Sequence, residues 1–463
     1  MRCLCFALLL VASSTFAGLP SLKVAEDHRH LVTDQGKPFF YLGDTAWELF
    51  HRLTSEEADL YLTTRAKQGF NVVHAVALAE YDVSVPNAYG ELPLENLDPT
   101  KPREAYFKHV DFIIDKAESL GIYVGFLPTW GDKWNKAWGK GPEIFTPQNA
   151  KVYGEWLGRR YKDKPIIWIL GGDRSVDNDN HRAIIRAMAA GLKAGDGGRH
   201  LISFHPKGGK NSSDYWPDEP WLDFHQFQSG HHAQAIHNFD FNAKNLALPA
   251  LKPTLDGEPC YEDHPVRGIA PKTGVPTVWF DEYDARRAAW WSMLSGACGH
   301  VYGDHSVWQF YDGKQEPVFH ARTPWQKAIE YPGAVQVGQM KAFFEKIEWQ
   351  KLRRDDGFLE GLPKDLKREQ QPMAAVATDG SFAVVYVPDT KAVPISPNFA
   401  KLAFDFEHCE ARSFNPKTGS DMSGVVGIVS GQAAYIATAE SKEPGFNGEP
   451  MRPDAVLVFS KKK

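Results

Sequence analysis

Ile166-Ile167-Trp168-Ile169-Leu170-Gly171-Gly172-Asp173-Arg174 sets the pattern from which the fold is read. A short apolar run ends on two glycines and an acid, and a segment with helical periodicity, Asn180 to Ala194, follows it. The same unit recurs outward in both directions as far as about residue 330. Eight apolar runs fit it: Phe39 to Leu42, Asn71 to Ala77, Tyr123 to Leu127, Ile166 to Leu170, Leu201 to Phe204, Leu222 to Phe227, Pro253 to Leu255 and His300 to Tyr302. Between them the periodicity predicts helices over Thr54 to Gln68, Arg103 to Leu120, Thr146 to Arg160 and Asp284 to Gly296. The first is capped by Thr54 or Ser55 with Glu56 and Glu57 in its opening turn, and it stops before Gly69 as the Arg103 helix stops before Gly121. Strands alternating with helices imply a parallel sheet, and eight repeats favour an α/β fold closed into a (β/α)8 TIM barrel. An open doubly wound sheet would carry a glycine-rich phosphate turn after its first strand, where this chain has Leu42-Gly43-Asp44-Thr45-Ala46-Trp47.

The 463 residues exceed the roughly 250–300 at which one core stops growing, so a second, smaller domain is expected. After a last long helix, Trp325 to Phe344, the composition changes. Ala374 to Ala377, Ser381 to Val387, Lys401 to Phe406 and Ala455 to Phe459 read as alternating strands, with Phe414 to Gly419 as a turn between two of them. This predicts a small C-terminal β-sandwich over 349–463, packed firmly on a barrel over 18–348 because no low-complexity linker separates them. Arg2, the apolar run Leu4 to Ala12 and the small residues up to Gly18 form a secretory signal over residues 1–17, which predicts export. No other stretch approaches the roughly 20 apolar residues of a membrane span. Cys3 and Cys5 leave with the signal, and the remaining Cys260, Cys298 and Cys409 allow at most one disulfide. A net charge of −6 with no long single-sign run before the lysine tail gives no footprint for nucleic acid.

In a barrel of this kind the chemistry sits where strands end. Asp173 stands at the mouth of the fourth strand, and Glu258, in Thr254-Leu255-Asp256-Gly257-Glu258-Pro259, at the mouth of the seventh. Hydrolysis of a glycosidic bond needs two carboxyl groups, one to protonate the leaving oxygen and one to attack or to activate water, and these two approach one sugar from different sides. Either acid alone could instead cap a helix or tie down a loop, and Glu262 and Glu282 are rivals further from the strand end. Asp44, Glu80 and Asp132 follow the first three strands and are candidates for sugar hydroxyls or for structural roles alike.

Histidines collect near the same ends: His205, His225, His231, His232, His300 and His305. A metal hydrolase would use such a set, but no His-Glu-x-x-His occurs and the one His-x-His precedes the barrel, so no metal and no cofactor is expected. His205, His225, Gln226 and His300 are assigned to sugar hydroxyls instead. Of the 14 tryptophans, Trp47, Trp130, Trp134, Trp138 and Trp308 lie in or beside mouth loops, where a flat apolar face suits the C–H face of a sugar, as does Tyr89 next to Asn87; Trp216 and Trp221 precede the sixth strand.

Six ordered motifs are more specific than any one of them: Gly43-Asp44-Thr45-Ala46-Trp47, Asn87-Ala88-Tyr89-Gly90, Pro128-Thr129-Trp130-Gly131-Asp132, Gly171-Gly172-Asp173-Arg174, Asp256-Gly257-Glu258-Pro259 and Gly299-His300-Val301-Tyr302-Gly303. Together they resemble the apiosidases, family 140 of the glycoside hydrolases. The resemblance spans nearly the whole chain after the signal, including a C-terminal β-domain that in that family carries the label of a collagen-binding domain. It implies cleavage of linkages made by apiose, such as apiose to rhamnose in side chains of the pectin rhamnogalacturonan II, with a plant cell-wall oligosaccharide or polysaccharide as partner. It further implies Asp173 as general acid/base and Glu258 as nucleophile of a retaining mechanism. Two other readings stand beside it: a hydrolase of the same mechanism acting on a different plant or marine glycan, and a non-catalytic carbohydrate-binding or adhesive protein. For Asp173 to hold a proton near neutral pH, Arg174 is expected to point away from it, toward the barrel wall or another acid, and a direct Arg174–Asp173 pair would count heavily against the acid role.

Overall fold

A computed structural model describes residues 18–80, 83–268, 274–389, 396–422, 426–429, 433–436 and 454–462. The expected signal, 1–17, lies outside the described residues. All eight apolar runs form parallel strands: β1 (Tyr41–Thr45), β2 (Val72–Val76), β3 (Tyr123–Leu127), β4 (Ile166–Gly171), β5 (Ile202–His205), β6 (His225–Gln228), β7 (Thr254–Asp256) and β8 (Gly299–Tyr302). They lie in one curled sheet in the order β5-β4-β3-β2-β1-β8-β7-β6, with a short antiparallel strand, Lys210–Asn211, on the β6 edge. Between the end strands β5 and β6 there is no ladder among the described residues. They are joined instead by the Asp223 N–H to the Ile202 carbonyl, 2.8 Å, and the Ser203 hydroxyl to the Phe224 carbonyl, 2.8 Å.

Alternate residues along each strand enter different layers, which is the two-residue period of a pleated strand made visible. Ile166, Trp168 and Leu170 of β4 pack outward among the helices, as do Val73 and Ala75 of β2. Ile167 faces inward into a lower layer with Tyr41, Val72, Tyr123 and Leu255. Ile169 joins an upper inner layer with Trp47, Val76, Leu127, Trp130, Tyr261 and Trp308. That upper layer is the floor of the cleft described below.

The helices that cover the sheet are α1 (Ser55–Lys67), α2 (Glu104–Ser119), α3 (Pro147–Tyr161), α4 (Asp179–Asp196), α5 (Asn238–Leu246), α6 (Glu282–Leu294) and α7 (Pro332–Phe344). Thr54 caps α1 in a capping box with Glu57, and α2 ends before Gly121 in a left-handed conformation, φ 79°. The single long helix expected over Trp325 to Phe344 is two pieces, Trp325–Ala328 and α7. Pro332 lacks an N–H and drives Tyr331 into an extended conformation, so the first piece must stop.

The C-terminal strands β9 (Leu352–Arg354), β10 (Met373–Ala377), β11 (Phe382–Val387), β12 (Cys409–Phe414), β13 (Asp421–Met422) and β14 (Ala455–Lys461) form one antiparallel sheet in the order β9-β10-β11-β14-β12-β13. Two further pairs accompany it, Leu359–Glu360 with Ser396–Pro397 and Val426–Val429 with Ala433–Ile436. The strand expected over Lys401 to Phe406 is absent: Phe399–Lys401 is a 3-10 turn, and Leu402 and Phe404 bury against the sheet without a ladder partner. The strand on that side is β12, and the expected turn follows it, with the Asn415 N–H on the Ser420 carbonyl at 2.9 Å.

This sheet is buried on both faces. Ala375, Val384, Tyr386, Val456 and Val458 pack with Trp290, Phe343 and Phe344 of α6 and α7, while Val376, Val385, Leu457 and Phe459 pack with Phe358, Phe399 and Phe404. At the junction the Arg286 guanidinium donates to both oxygens of Asp454, at 2.8 and 2.9 Å, and to Gln336, and the Tyr386 hydroxyl donates to Asp454 at 2.9 Å. Tyr386 also stacks on Trp290 at 5.9 Å. Cys260, Cys298 and Cys409 are unpaired. No described helix is long and apolar enough to cross a membrane.

Because Arg286 and Asp454 are both nearly excluded from water, removing one leaves a buried charge without a counterion. Asp454→Ala is expected to destabilise the chain by about 3–5 kcal/mol, read from the guanidinium chloride midpoint of tryptophan fluorescence. A loss below ~1 kcal/mol would mean that the pair is not what holds the sheet to α6.

Candidate active site

The end of β4 is shaped by three consecutive residues in the left-handed region: Gly171 at φ 99°, Gly172 at 98° and Asp173 at 54°. A Cβ on Gly171 would lie 2.2 Å from the His205 carbonyl oxygen, and one on Gly172 2.6 Å from the Gly131 nitrogen. The glycines are therefore needed both for conformation and for close approach to the neighbouring strand ends. The Gly172 N–H donates to the His205 carbonyl at 3.1 Å, and its carbonyl accepts from the Gly131 N–H at 3.0 Å. Asp173 is thrown into the cleft by this turn, and a non-glycine residue at positive φ is a strained feature of the kind found at functional sites.

Glu258 enters from the end of β7 and lines the same cleft as Asp173. Its two oxygens are held separately, one 2.9 Å from His205 Nε2 and the other 3.0 Å from His231 Nε2. His231 Nδ1 accepts the Tyr261 N–H at 3.3 Å, which leaves Nε2 as the protonated nitrogen and makes it a donor to Glu258. Burial by itself would raise the pKa of this carboxyl, but the hydrogen bonds from His205 and His231 outweigh it and hold Glu258 well below the usual carboxylate range. Asp173 is shifted the other way, up to about 6, by burial first and by the Glu258 charge second, against the pull of Arg174, His205 and Arg267. One cleft thus holds an anion and, in weakly acidic solution, a carboxylic acid.

The walls are aromatic. Trp47, Trp130 and Trp308 rise from the upper inner layer of the sheet, with Trp138 exposed on the rim and Tyr261, His264 and Phe319 opposite, around a cavity of about 410 Å³. Trp47 and Trp130 meet each other at 5.1 Å, and both meet the His205 ring. The His231 ring stacks on His264 at 4.2 Å, which fixes the second donor to Glu258. Lys140 and Arg267 bring positive charge to the same walls, and Glu80 adds a third carboxyl group. Among the described residues no group of three or more His, Cys, Asp or Glu is placed to hold a metal ion.

Of the residues singled out in the sequence, Asp173, Glu258, Glu80, His231, Trp47, Trp130, Trp138 and Trp308 line the cleft, and His205 lies directly beneath it on Glu258. The others assigned to sugar are turned elsewhere. Asp44 is buried and accepts from Arg65 at 2.7 Å and Tyr61 at 2.5 Å. Asn87 closes its own loop through the Tyr89 and Glu91 N–H groups, both 3.0 Å, and Tyr89 reaches Ser55 across the surface. Asp132 pairs with Lys133 at 2.7 Å and accepts the Gly141 N–H at 2.7 Å. His225, held by Ser212 at 2.9 Å, and His300 are sealed within the curled sheet, where burial pushes each imidazole down to about 3; Gln226 is sealed beside them against Gly257. Trp134, Trp216 and Trp221 are core. Neither Glu262, bonded to the Tyr302 hydroxyl at 2.5 Å, nor Glu282 lines the cleft. His231 stood among the strand-end histidines without a role, and only its place opposite His205 reveals it. Tyr261, His264, Arg267 and Phe319 left no motif, because they come from long loops.

The expectation that Arg174 avoids Asp173 is overturned. Its Nη1 lies 2.9 Å from the Asp173 carbonyl and 3.4 Å from the Asp173 carboxylate. The reason is the tight turn, which leaves the backbone carbonyl of Asp173 as the nearest acceptor for a guanidinium buried under the loop. Arg174 is also shared: Nη2 lies 3.4 Å from Glu80, and the guanidinium sits 4.3 Å from the centre of the Trp138 ring. The carboxylate contact is long, and burial together with Glu258 still leaves Asp173 raised.

With this geometry in place, the chain was compared with known families and structures. A family model described as the apiosidase-like catalytic domain matches residues 25–351. The chain belongs to the apiosidase-like family. Its fold is close to a solved structure described as a glycoside hydrolase, 28% identical, TM-score 0.80, with 96% of this chain and 97% of the other covered. A glycoside hydrolase family 5 structure from Bacteroides vulgatus ATCC 8482 is equally similar, 28% identical at TM-score 0.80, covering 96% and 94%. A second glycoside hydrolase structure from that organism, at 15% identity and TM-score 0.61, shares the fold. No protein of curated function matches the chain. The apiosidase-like chain is thus a glycosidase with a large curled, mostly parallel sheet.

Gly172→Ala is expected to lower the melting temperature measured by circular dichroism, at a cost above ~1 kcal/mol, because the new Cβ meets backbone and the φ of 98° is unfavourable. An unchanged melting curve would show that the turn relaxes freely.

Proposed function

We propose that this glycosidase is an exported apiosidase of family 140 that removes apiose-containing units from side chains of rhamnogalacturonan II by a retaining, two-carboxylate mechanism. The observation that carries the reading is the opposite treatment of two carboxyl groups in one cleft. Glu258 is held as an anion by two buried imidazole donors, while Asp173 is raised to about 6. In the proposed reaction the Asp173 carboxyl gives its proton to the leaving oxygen as a Glu258 oxygen attacks the anomeric carbon. Asp173, now ionised, then takes a proton from the water that hydrolyses the glycosyl-enzyme ester, restoring both groups. Trp47, Trp130 and Trp308 offer flat faces to the sugar rings. The barrel is read as closed over 18–348, with 349–463 as a C-terminal domain and 1–17 as a cleaved signal. A hydrolase of the same mechanism acting on another glycan is a second reading, favoured by the likeness to a structure described as family 5.

Three measurements test this. Wild-type protein should release sugar from rhamnogalacturonan II side chains and from apiosyl glycosides, and folded Asp173→Ala and Glu258→Ala proteins should lose activity by about 10²–10⁴-fold or more. Activity only on a different glycan, still dependent on both carboxyls, would discard the substrate and keep the mechanism. Since the proton on Asp173 is required and is lost as pH rises through its raised value, kcat/KM should fall above about pH 6. Replacing His231 by Phe removes one donor from Glu258 and raises that carboxyl, so the acid limb of kcat/KM should move to higher pH. An unmoved acid limb would mean that the limb does not belong to Glu258.

A further inference from the structure

The cleft holds a third carboxyl, Glu80, in the loop after β2, and one buried guanidinium serves both it and Asp173. Nη1 of Arg174 faces the Asp173 backbone and carboxylate, Nη2 faces Glu80 at 3.4 Å, and Arg174 Nε has no partner among the described residues. On its outer side the fork is covered by the Trp138 ring at 4.3 Å and approached closely by Gly139, where a Cβ would lie 2.5 Å from Nη2. An arginine fork free of Glu80 has every reason to turn onto Asp173 with both of its nitrogens, because a bidentate guanidinium–carboxylate pair is the stronger arrangement.

We infer that Glu80 is a positioning residue: by accepting Nη2 it divides Arg174 between two carboxyls and so keeps Asp173 out of a bidentate pair that would strip it of its proton. The inference rests on the reading of Asp173 as the acid. The groups facing Asp173 are Glu258 from β7, His205 from β5, Arg174 beside it and Arg267 across the cleft. Those facing Glu80 are Asp173, Arg174, Asp132 and Glu48, with Lys133 Nζ 3.4 Å from its backbone carbonyl. In this company Glu80 is pushed up to about 8, by burial and then by the Asp173 charge, so it accepts Nη2 as a largely neutral acid whose carbonyl oxygen suffices. The hold on Arg174 therefore depends on an acceptor at this position rather than on a second negative charge.

The test is the pH dependence of kcat/KM for Glu80→Ala and Glu80→Gln in the full chain, each checked for folding by thermal melting. Glu80→Ala should free Nη2 and move the alkaline limb to lower pH by roughly one unit or more, the range an adjacent opposite charge commands. Glu80→Gln keeps an acceptor and the same shape, and its limb should stay with the wild type. Either an unmoved limb in Glu80→Ala, with only KM or kcat changed, or a limb displaced as far in Glu80→Gln as in Glu80→Ala, overturns the inference. The second result is readable even where Glu80→Ala does not fold, because its standard is then the wild type: a Gln limb shifted by a unit refutes the acceptor role. Failure of the underlying reading is a separate result, full activity in Asp173→Ala.

Discussion

Two carboxyl groups of similar intrinsic acidity face one cleft, and their surroundings decide which of them carries the charge. Here the difference originates in the pair of imidazoles under Glu258, each donating to a different oxygen. Both are buried, and their partners are fixed: His231 by the Tyr261 N–H and by stacking on His264, His205 by the Trp47 and Trp130 rings. A carboxylate satisfied in this way remains charged where burial alone would neutralise it, and its persistent charge is one of the two causes that raise Asp173. Floor, walls and second carboxyl take their electrostatic character from that arrangement.

The scaffold supports it from beneath. The upper inner layer of the sheet, made of Ile169, Val76, Leu127 and the tryptophans, packs directly under the carboxyls, so the strand ends that carry Asp173 and Glu258 are attached to a filled core. The C-terminal sheet contributes at a distance, covering α6 and α7 through Trp290, Tyr386 and the Arg286–Asp454 pair. None of its described residues lines the cleft. Its visible work is to bury the outer face of two helices that follow β7 and β8.

The sequence made the strands legible because each is a short apolar run bounded by Gly, Pro, Asp or His, and period and boundary agree. It misled where one signal served two structures. Leu402 and Phe404 alternate like strand residues yet bury as an irregular cap, and the periodicity through Trp325 to Phe344 hid the break that Pro332 enforces. Sugar-binding assignments failed for a related reason: Asp44, Asp132, His225 and His300 do stand at strand ends, but a side chain there points into the cleft, into the core of the curled sheet or under a loop, and one-dimensional spacing does not choose among them.

By itself the sequence determined the eight-strand parallel pattern, the two carboxyls at the ends of the fourth and seventh strands and the glycines that free the first of them, because these are local consequences of side-chain pattern and backbone freedom. Only the tertiary structure decided which histidines hold Glu258, which aromatics form the walls and where Arg174 goes. Those relations join residues far apart in the chain, and acidity depends on distances of a few ångströms and on exclusion of water. A linear order of residues fixes the candidates for such contacts, and the packed tertiary structure alone fixes the contacts themselves.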